Sequence, residues 1–257
     1  MSKRLYHSPS PARFVFSGIL LLGLCGCQTT GIDDITGALG GKQEAARQAE
    51  AKQDVNALRE CYRANPNDLD VALAYGTALR VAGQRSQAVA VLEQAVLAHS
   101  GNKALLAAYG RALADSGNFQ QAFDVLSRAH TPEDPDWHIL SAQGAVLDQL
   151  GRNEEAQQYY ASALKIVPND PSVLSNLGLS YLLQNNLPKA EETLRRAHEK
   201  SPSDPRVRAN LAVVLGLEGH QVEAEAIVKA DLPPDEAAAK VTALRQMLAK
   251  KQQRADR

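Results

Sequence analysis

Glycine returns every 34 residues along the middle of the chain, and this spacing constrains the fold more than any other feature. Gly76, Gly110, Gly144 and Gly178 follow one another at intervals of 34 residues, an agreement expected by chance at roughly 3 × 10⁻⁴ of starting positions for this glycine content. Alanine and large apolar residues recur with the same period: Ala88, Ala122, Ala156, Ala190 and Ala224; Leu79, Leu113, Leu147, Tyr181 and Leu215; Leu92, Leu126, Tyr160, Leu194 and Val228. A repeat of this length predicts stacked, similar units rather than a single closed core.

Each unit is predicted to be a pair of antiparallel helices. Ala72, Tyr75 and Leu79 follow at i, i+3 and i+7 and therefore share one face of a first helix. A glycine inside a helix costs about 1 kcal/mol relative to alanine. We therefore expect the second helix to pass close to Gly76, near Ala88, so that close packing offsets this cost.

The pattern resembles the tetratricopeptide repeat. The third unit shows it best, with the framework residues Trp137, Leu140, Gly144, Leu147, Ala156, Tyr160, Ala163 and Pro168. The resemblance implies an all-α fold, a right-handed α-solenoid of about five repeats over residues 67–234. The approximate repeats are 69–102, 103–136, 137–170, 171–204 and 205–234, and the fifth departs from the pattern because Ala212 replaces the glycine.

Additional helices are predicted at both ends of the stack. Residues 42–66 read as an N-terminal helix or half repeat, and residues 235–257 as a capping helix and tail, which an open stack needs for solubility. At the corners between units, Asp170 and Asp204 follow prolines and are placed to cap the next helix.

The first 27 residues have the layout of a secretory signal. Lys3, Arg4 and Arg13 precede an eleven-residue apolar run, Phe14 to Leu24. This run is shorter than the ~18 residues of a membrane-spanning helix. We therefore exclude residues 1–27 from the folded domain.

The sequence Leu24-Cys25-Gly26-Cys27 resembles the lipobox of bacterial lipoproteins. The resemblance implies cleavage before Cys27 and acylation of its thiol, for example by palmitate; Gly26 supplies the small residue before the cut. A plain signal peptide cleaved nearby is the alternative. Gln28, in that family, implies transport to the outer membrane, so that the protein would be lipid-anchored on its periplasmic face.

Residues 28–41 are rich in glycine and read as a flexible tether, with an r.m.s. reach of about 20 Å. Beyond the tether, Cys61 has no second free cysteine with which to form an intramolecular disulfide once Cys27 is acylated. We expect Cys61 to be a small buried residue on a helix; a reactive thiol is the alternative.

Composition and motifs give little support to catalysis or nucleic-acid binding. The chain has 28 basic and 29 acidic residues and therefore lacks the basic excess that binds phosphates. Its six histidines show no metal-ligand spacing. We therefore predict no enzyme activity, cofactor, metal, nucleic acid or small-molecule substrate. A hydrolase or glycan-modifying accessory that uses His138 is the enzymatic alternative.

The first helices of the stack are predicted to line a groove that binds a partner protein. The inward residues are Leu73, Arg80, Arg111, His138, Asn176, Leu179, Leu182, Arg206, Asn210 and Val213. Asn176 and Asn210 are 34 residues apart, and their carboxamides can bond to an extended peptide main chain or, equally, to neighbouring helices. The leucines and the valine would add apolar contact. The lysine and asparagine clamp of chaperone-binding relatives is excluded, because Leu73 and Thr77 occupy those positions.

A lipoprotein made almost wholly of such repeats resembles the TadD family of the Flp (tight adherence) pilus apparatus. The supporting features are the Cys27 box, five repeats and a tail that runs from Leu232-Pro233-Pro234-Asp235-Glu236-Ala237 into Leu244-Arg245-Gln246-Met247-Leu248. The resemblance implies a non-catalytic scaffold for pilus assembly, a pilotin-like helper whose partner is the secretin or another assembly component. A general envelope-biogenesis scaffold not tied to pili is the alternative.

Overall fold

The structure, a computed structural model, describes residues 55–230 and 232–255, and all of its regular elements are helices. The signal, Cys27, the tether and the first part of the predicted N-terminal helix lie outside the described residues. In the described ranges, no helix is both long enough and apolar enough to cross a membrane.

Helices follow one another in antiparallel pairs along the described chain. The first, α1, is helical over residues 55–64. The others are α2 (Leu69–Val81), α3 (Arg85–Ala98), α4 (Lys103–Asp115), α5 (Phe119–Leu126), α6 (Trp137–Gln149), α7 (Asn153–Ile166), α8 (Pro171–Leu183), α9 (Leu187–Lys200), α10 (Pro205–Leu217), α11 (Gln221–Lys229) and α12 (Pro234–Ala255).

The helix starts carry the period of the sequence. The first helices of the pairs, α2, α4, α6, α8 and α10, begin 34 residues apart, and so do the second helices, α3, α5, α7, α9 and α11. Each helix packs mainly on its neighbours in sequence, and successive first helices also pack on each other. The predicted fold, an all-α solenoid of five helix pairs, is confirmed.

The recurring glycines allow the two helices of each pair to approach closely. A Cβ added to Gly178 would lie 2.5 Å from Leu194 Cγ, and one added to Gly144 would lie 2.7 Å from Tyr160 Cε1. The second helix passes close to Gly76 as expected, and the nearest side chain is that of Leu92, one turn beyond Ala88 on α3. The glycine therefore makes room for a large side chain of the second helix.

Every first helix begins with a side-chain cap. Asp170 Oδ1 accepts from the backbone N–H groups of Ser172 and Val173, both at 3.0 Å, and Asp204 caps α10 in the same way, as predicted. The same role recurs at Asp68, Asn102 and Asp136, so the caps also have the 34-residue period. Such a cap contributes about 1 kcal/mol.

The second and fifth repeats have short second helices. α5 has eight residues and α11 has nine, whereas α3, α7 and α9 have 14. The irregular segment that follows α5 is held by side-chain hydrogen bonds. At the end of α5 the Ser127 hydroxyl donates to Phe123 O at 2.8 Å. Gln143 of α6 then holds the irregular segment that follows, because it donates to Ser127 Oγ at 3.0 Å and its Oε1 lies 2.9 Å from His130 Nε2. The next repeat keeps its 34-residue register.

The two ends of the described stack differ in how well their apolar faces are covered. At the C-terminal end, α12 buries Ala237, Val241 and Leu244. At the other end, Cys61 of α1 is exposed, contrary to expectation. Its position is equivalent to that of Ala95, but among the described residues no helix precedes α1 to cover that face.

Candidate partner-binding groove

A cleft of about 240 Å³ lies between the first helices of the third, fourth and fifth repeats, α6, α8 and α10. Its walls are mainly polar and include Asp148, Ser172, Ser175, Asn176, Arg206 and Asn210. It contains both predicted groove asparagines. The cleft therefore brings both asparagines of the predicted groove together with other hydrogen-bonding side chains.

The two asparagines form a periodic series of hydrogen bonds with serines of the preceding repeat. Asn176 Nδ2 donates to Ser141 Oγ at 3.2 Å, and Asn210 Nδ2 donates to Ser175 Oγ at 2.8 Å. The sequence leaves two roles open for these carboxamides, a bond to a partner's main chain or a bond to a neighbouring helix. The structure shows the second. Asn210 is only 5% exposed, and its Oδ1 is buried with no hydrogen-bond partner in the described part of the chain.

Asp148 is a buried carboxylate on the wall of the cleft, only 6% exposed. Asn153 Nδ2 and Ser180 Oγ each donate to its Oδ1 at 2.7 Å, and the Tyr160 hydroxyl donates to its Oδ2 at 3.0 Å. Burial raises the pKa of Asp148, although the three donors act in the opposite direction. The carboxylate links the third repeat to the fourth through Ser180.

The apolar contacts predicted for the groove need correction. Leu182 and Val213 are 6% and 2% exposed and belong to a core cluster with Leu211 and Leu215. Leu179 belongs to the same cluster but also lines the cleft. These side chains point between successive first helices, because the helices of adjacent repeats pack directly on each other. Leu182 and Val213 therefore stabilise the stack and do not face a partner.

The remaining predicted groove residues lie at the exposed ends of the helices or toward the N-terminal repeats. Leu73 is half-buried and lines a depression between α1 and α2 of about 670 Å³. Arg80 Nη1 lies 3.1 Å from Asp115 Oδ2 of the next repeat, and Arg111 is half-buried on α4. Arg206 is exposed at the rim of the cleft.

His138 is engaged at the start of α6. Its ring stacks on Trp137 with centroids 3.6 Å apart, and its Nδ1 lies 3.1 Å from Asp136 Oδ1. The same Asp136 oxygen accepts from the His138 backbone N–H at 2.7 Å. Trp137 and Asp136, the N-cap of α6, thus hold the imidazole. These contacts give the enzymatic alternative no support.

Sequence reasoning missed one titratable cluster, which lies between α9 and the turn before α11. Glu191, Glu218 and His220 are the three residues of the described ranges whose potential metal-ligand atoms lie within 4.8 Å of one another. A hydrogen bond shared with Glu191, together with burial, raises the pKa of Glu218 to about 7. Arg195 pairs with Glu191 at 2.6 Å and with Glu223 at 2.7 Å. The cluster joins the fourth repeat to the fifth.

Comparison with known protein families identifies the fold. The tetratricopeptide repeat profile matches residues 79–144 and 149–213, just over half of the chain, and a second profile of the same family matches residues 205–230. The chain belongs to the tetratricopeptide repeat family. Domains of this family are in general protein-binding scaffolds without catalytic activity. No curated protein matches the chain.

Two solved structures have a similar fold. The protein TTC0263 of Thermus thermophilus is 18% identical over 70% of this chain and 98% of its own, with a TM-score of 0.58. Human IFIT1, solved as a dimer with m7Gppp-AAAA, is 14% identical over 72% of this chain and 48% of its own, with a TM-score of 0.61. At these identities the likeness concerns the fold alone.

Proposed function

We propose that this protein is a non-catalytic scaffold that holds an extended segment of a partner protein in the cleft between α6, α8 and α10. The observation that supports this most directly is the pair of carboxamides of Asn176 and Asn210, which line the same cleft one repeat apart and are held by hydrogen bonds to the preceding repeat. The half-buried Asn176 and the exposed Ser172 are the groups that a bound segment can reach from the cleft.

The other groups in the cleft suit the same ligand. An extended peptide presents N–H donors and C=O acceptors in alternation. The cleft offers serine hydroxyls, which both donate and accept, and carboxamides held in place by the bonds of Asn176 and Asn210 to the preceding repeat. Because these bonds fix the carboxamides before binding, little side-chain entropy is lost on association.

We further propose that the scaffold is an outer-membrane lipoprotein that assists Flp pilus assembly, as a pilotin-like helper of the secretin. The support comes from the sequence, namely the lipobox at Cys27, Gln28 after it, and the tail that begins at Leu232. In this arrangement the lipid holds the protein at the periplasmic face of the outer membrane while the repeats bind the secretin or another assembly component.

Site-specific crosslinking in intact cells tests the proposal. A photoreactive amino acid at Ser172, exposed at the edge of the cleft, is compared with one at Val222, which is 87% exposed on α11. We expect Ser172, but not Val222, to capture a secretin. Capture of other envelope proteins would indicate the general envelope scaffold, and capture of nothing at Ser172 would contradict the proposed cleft.

Substitution of the two asparagines separates binding from folding. We expect Asn176→Ala with Asn210→Ala to reduce the crosslinked product from Ser172 at least tenfold, because both carboxamides are removed. Helical content by circular dichroism should be retained. His138→Ala is the control, since its side chain contacts Asp136 at the start of α6 and does not line the cleft. An undiminished product in the double variant would show that the carboxamides do not bind the partner.

A further inference from the structure

Glu191, Glu218 and His220 form a cluster with the donor set of a transition-metal site. Glu191 lies on α9 of the fourth repeat, whereas Glu218 and His220 lie in the turn between α10 and α11 of the fifth. One potential ligand atom of each residue lies within 4.8 Å of those of the other two. Three such atoms share a central point at most about 2.8 Å from each, so shifts of less than about 1 Å would bring them to the ~2.0–2.2 Å of zinc ligands. His220 is the N-cap of α11, but its side chain makes no capping hydrogen bond and is available as a ligand.

The two carboxylates of the cluster lie against each other. Glu218 Oε2 is buried, and no hydrogen-bond donor reaches it in the part of the chain that the structure describes. Glu191 can share a hydrogen bond with Glu218 only when one of the two carboxyl groups is protonated. When both are ionised, they repel each other. A divalent cation between them would remove this repulsion and give the buried oxygen a partner.

Arg195 orients Glu191 without using its full capacity as a ligand. Arg195 Nε donates to one oxygen of Glu191 at 2.6 Å, and its Nη1 and Nη2 donate to the two oxygens of Glu223 at 2.7 and 3.0 Å. Carboxylates that bind metals are commonly oriented by hydrogen bonds of this kind. Because Glu223 balances the charge of Arg195, Glu191 and Glu218 together leave two negative charges for a divalent cation.

We propose that Glu191, Glu218 and His220 bind one Zn²⁺ ion, with a water molecule as the fourth ligand. An imidazole nitrogen together with two carboxylates suits zinc, whereas Mg²⁺ and Ca²⁺ prefer ligand sets made of oxygen alone. The ion would fasten α9 to the turn before α11, and thus the fourth repeat to the fifth. The spacing of histidines along the sequence could not predict this site, because its ligands come from two repeats. The inference does not depend on the proposed binding of a partner protein.

Zinc titration of the untagged, full-length protein tests the inference. The thiols are first alkylated, because an exposed thiol such as that of Cys61 binds zinc, and bound metal is removed with EDTA. By calorimetry we expect one Zn²⁺ per chain, and we expect Glu218→Gln and His220→Ala each to weaken binding by about tenfold or more. The matched control is Glu192→Gln, which removes the same charge from an exposed residue beside the cluster and should leave binding intact. No binding by the natural protein, or equal weakening by Glu192→Gln, would overturn the inference.

Two further measurements separate ligation from a change in folding. We expect Zn²⁺ to raise the melting temperature of the natural protein and of Glu192→Gln but not that of Glu218→Gln, because an ion that binds only the folded state stabilises it. Mg²⁺ at the same concentration should have no such effect. Co²⁺ in place of Zn²⁺ should give the strong visible absorption of a four-coordinate site, and His220→Ala should lose it while remaining helical by circular dichroism. Equal stabilisation by Mg²⁺, or a Co²⁺ spectrum unchanged in His220→Ala, would mean that the acidic surface attracts cations without a zinc site.

Discussion

Tyr160 donates its hydroxyl to Asp148 Oδ2 at 3.0 Å and thereby joins the second helix of the third repeat to the first. Both residues are almost fully buried. Because Ser180 of the fourth repeat donates to the other oxygen of Asp148, this carboxylate connects three helices behind the cleft. Removing the Asp148 carboxylate should therefore lower the stability of the stack.

We expect Asp148→Ala to lower the free energy of unfolding by about 1–3 kcal/mol, because the Tyr160 hydroxyl loses its acceptor in a buried position. Asp148→Asn keeps the shape and one oxygen acceptor and should cost less. Urea denaturation followed by circular dichroism measures both variants. Equal stability of Asp148→Ala and the natural protein would show that the buried bonds contribute nothing.

The same carboxyl group should make stability depend on pH. Since the pKa of Asp148 is raised by burial, the folded protein binds a proton more readily than the unfolded chain. As pH rises from about 4, the reference value for aspartate, through the higher folded value, stability contributed by the protonated form is lost. Urea denaturation between pH 4 and 8 should show the natural protein losing stability relative to Asp148→Asn. If stability changed with pH in the same way in both proteins, Asp148 would not be the cause of the pH dependence.

Glu218 should add a second pH dependence, centred nearer neutrality. Its pKa of about 7 lies above the unfolded value, so its contribution is present below about pH 4 and is lost as pH rises toward 7. Glu191, whose pKa is lowered, shares the proton, and the pair titrates as one unit. We expect Glu218→Gln to reduce the loss of stability between pH 5 and 8, measured by thermal unfolding, and to leave the part that Asp148 causes. A pH profile unchanged by this variant would exclude Glu218 as its cause.

A double-mutant cycle tests the close approach at Gly178. Gly178→Ala should destabilise the protein by about 1–3 kcal/mol, because the new Cβ would lie 2.5 Å from Leu194 Cγ and overpacking outweighs the gain in helix propensity. In a Leu194→Ala background the same change should be neutral or stabilising, since the clashing atoms are gone. Additive effects in thermal unfolding would show that the two residues do not compete for space.

The proposed lipid anchor at Cys27 predicts a change in cell fractionation. We expect Cys27→Ser to prevent acylation, so that the protein leaves the membrane fraction and incorporates no labelled palmitate. Cys25→Ser is the matched control, because it changes the neighbouring thiol and keeps Cys27. Labelling that persists in Cys27→Ser and disappears in Cys25→Ser would assign the anchor to the other cysteine.

The repeat architecture could be predicted because it depends on contacts within one unit and between neighbours. The period of Gly76, Gly110, Gly144 and Gly178 fixes where large side chains of the second helix fit, and it anticipates the 34-residue spacing of the helix starts. Capping by Asp170 is equally local. Such features are visible in sequence because their partners lie at constant distances along the chain.

The properties of the groove were harder to predict because they depend on how adjacent repeats are rotated. Leu182 and Val213 occupy first-helix positions predicted to face the groove, yet their side chains are buried in the core. The pairing of Asn210 with Ser175 could have been noticed, since Asn176 and Ser141 show the same spacing. The ion pair between Arg80 and Asp115 has no such signal, because it depends on how closely the first helices of two successive repeats approach each other.

The terminal helix α12 determines where the stack stops. Leu248 lies against Gly216, and α12 packs on both α10 and α11, the pair to which a sixth unit would be added. Neither a further repeat nor the end of a second molecule can use that surface while α12 covers it. The C-terminal end of the stack is thus closed, and growth into head-to-tail filaments is blocked from this side.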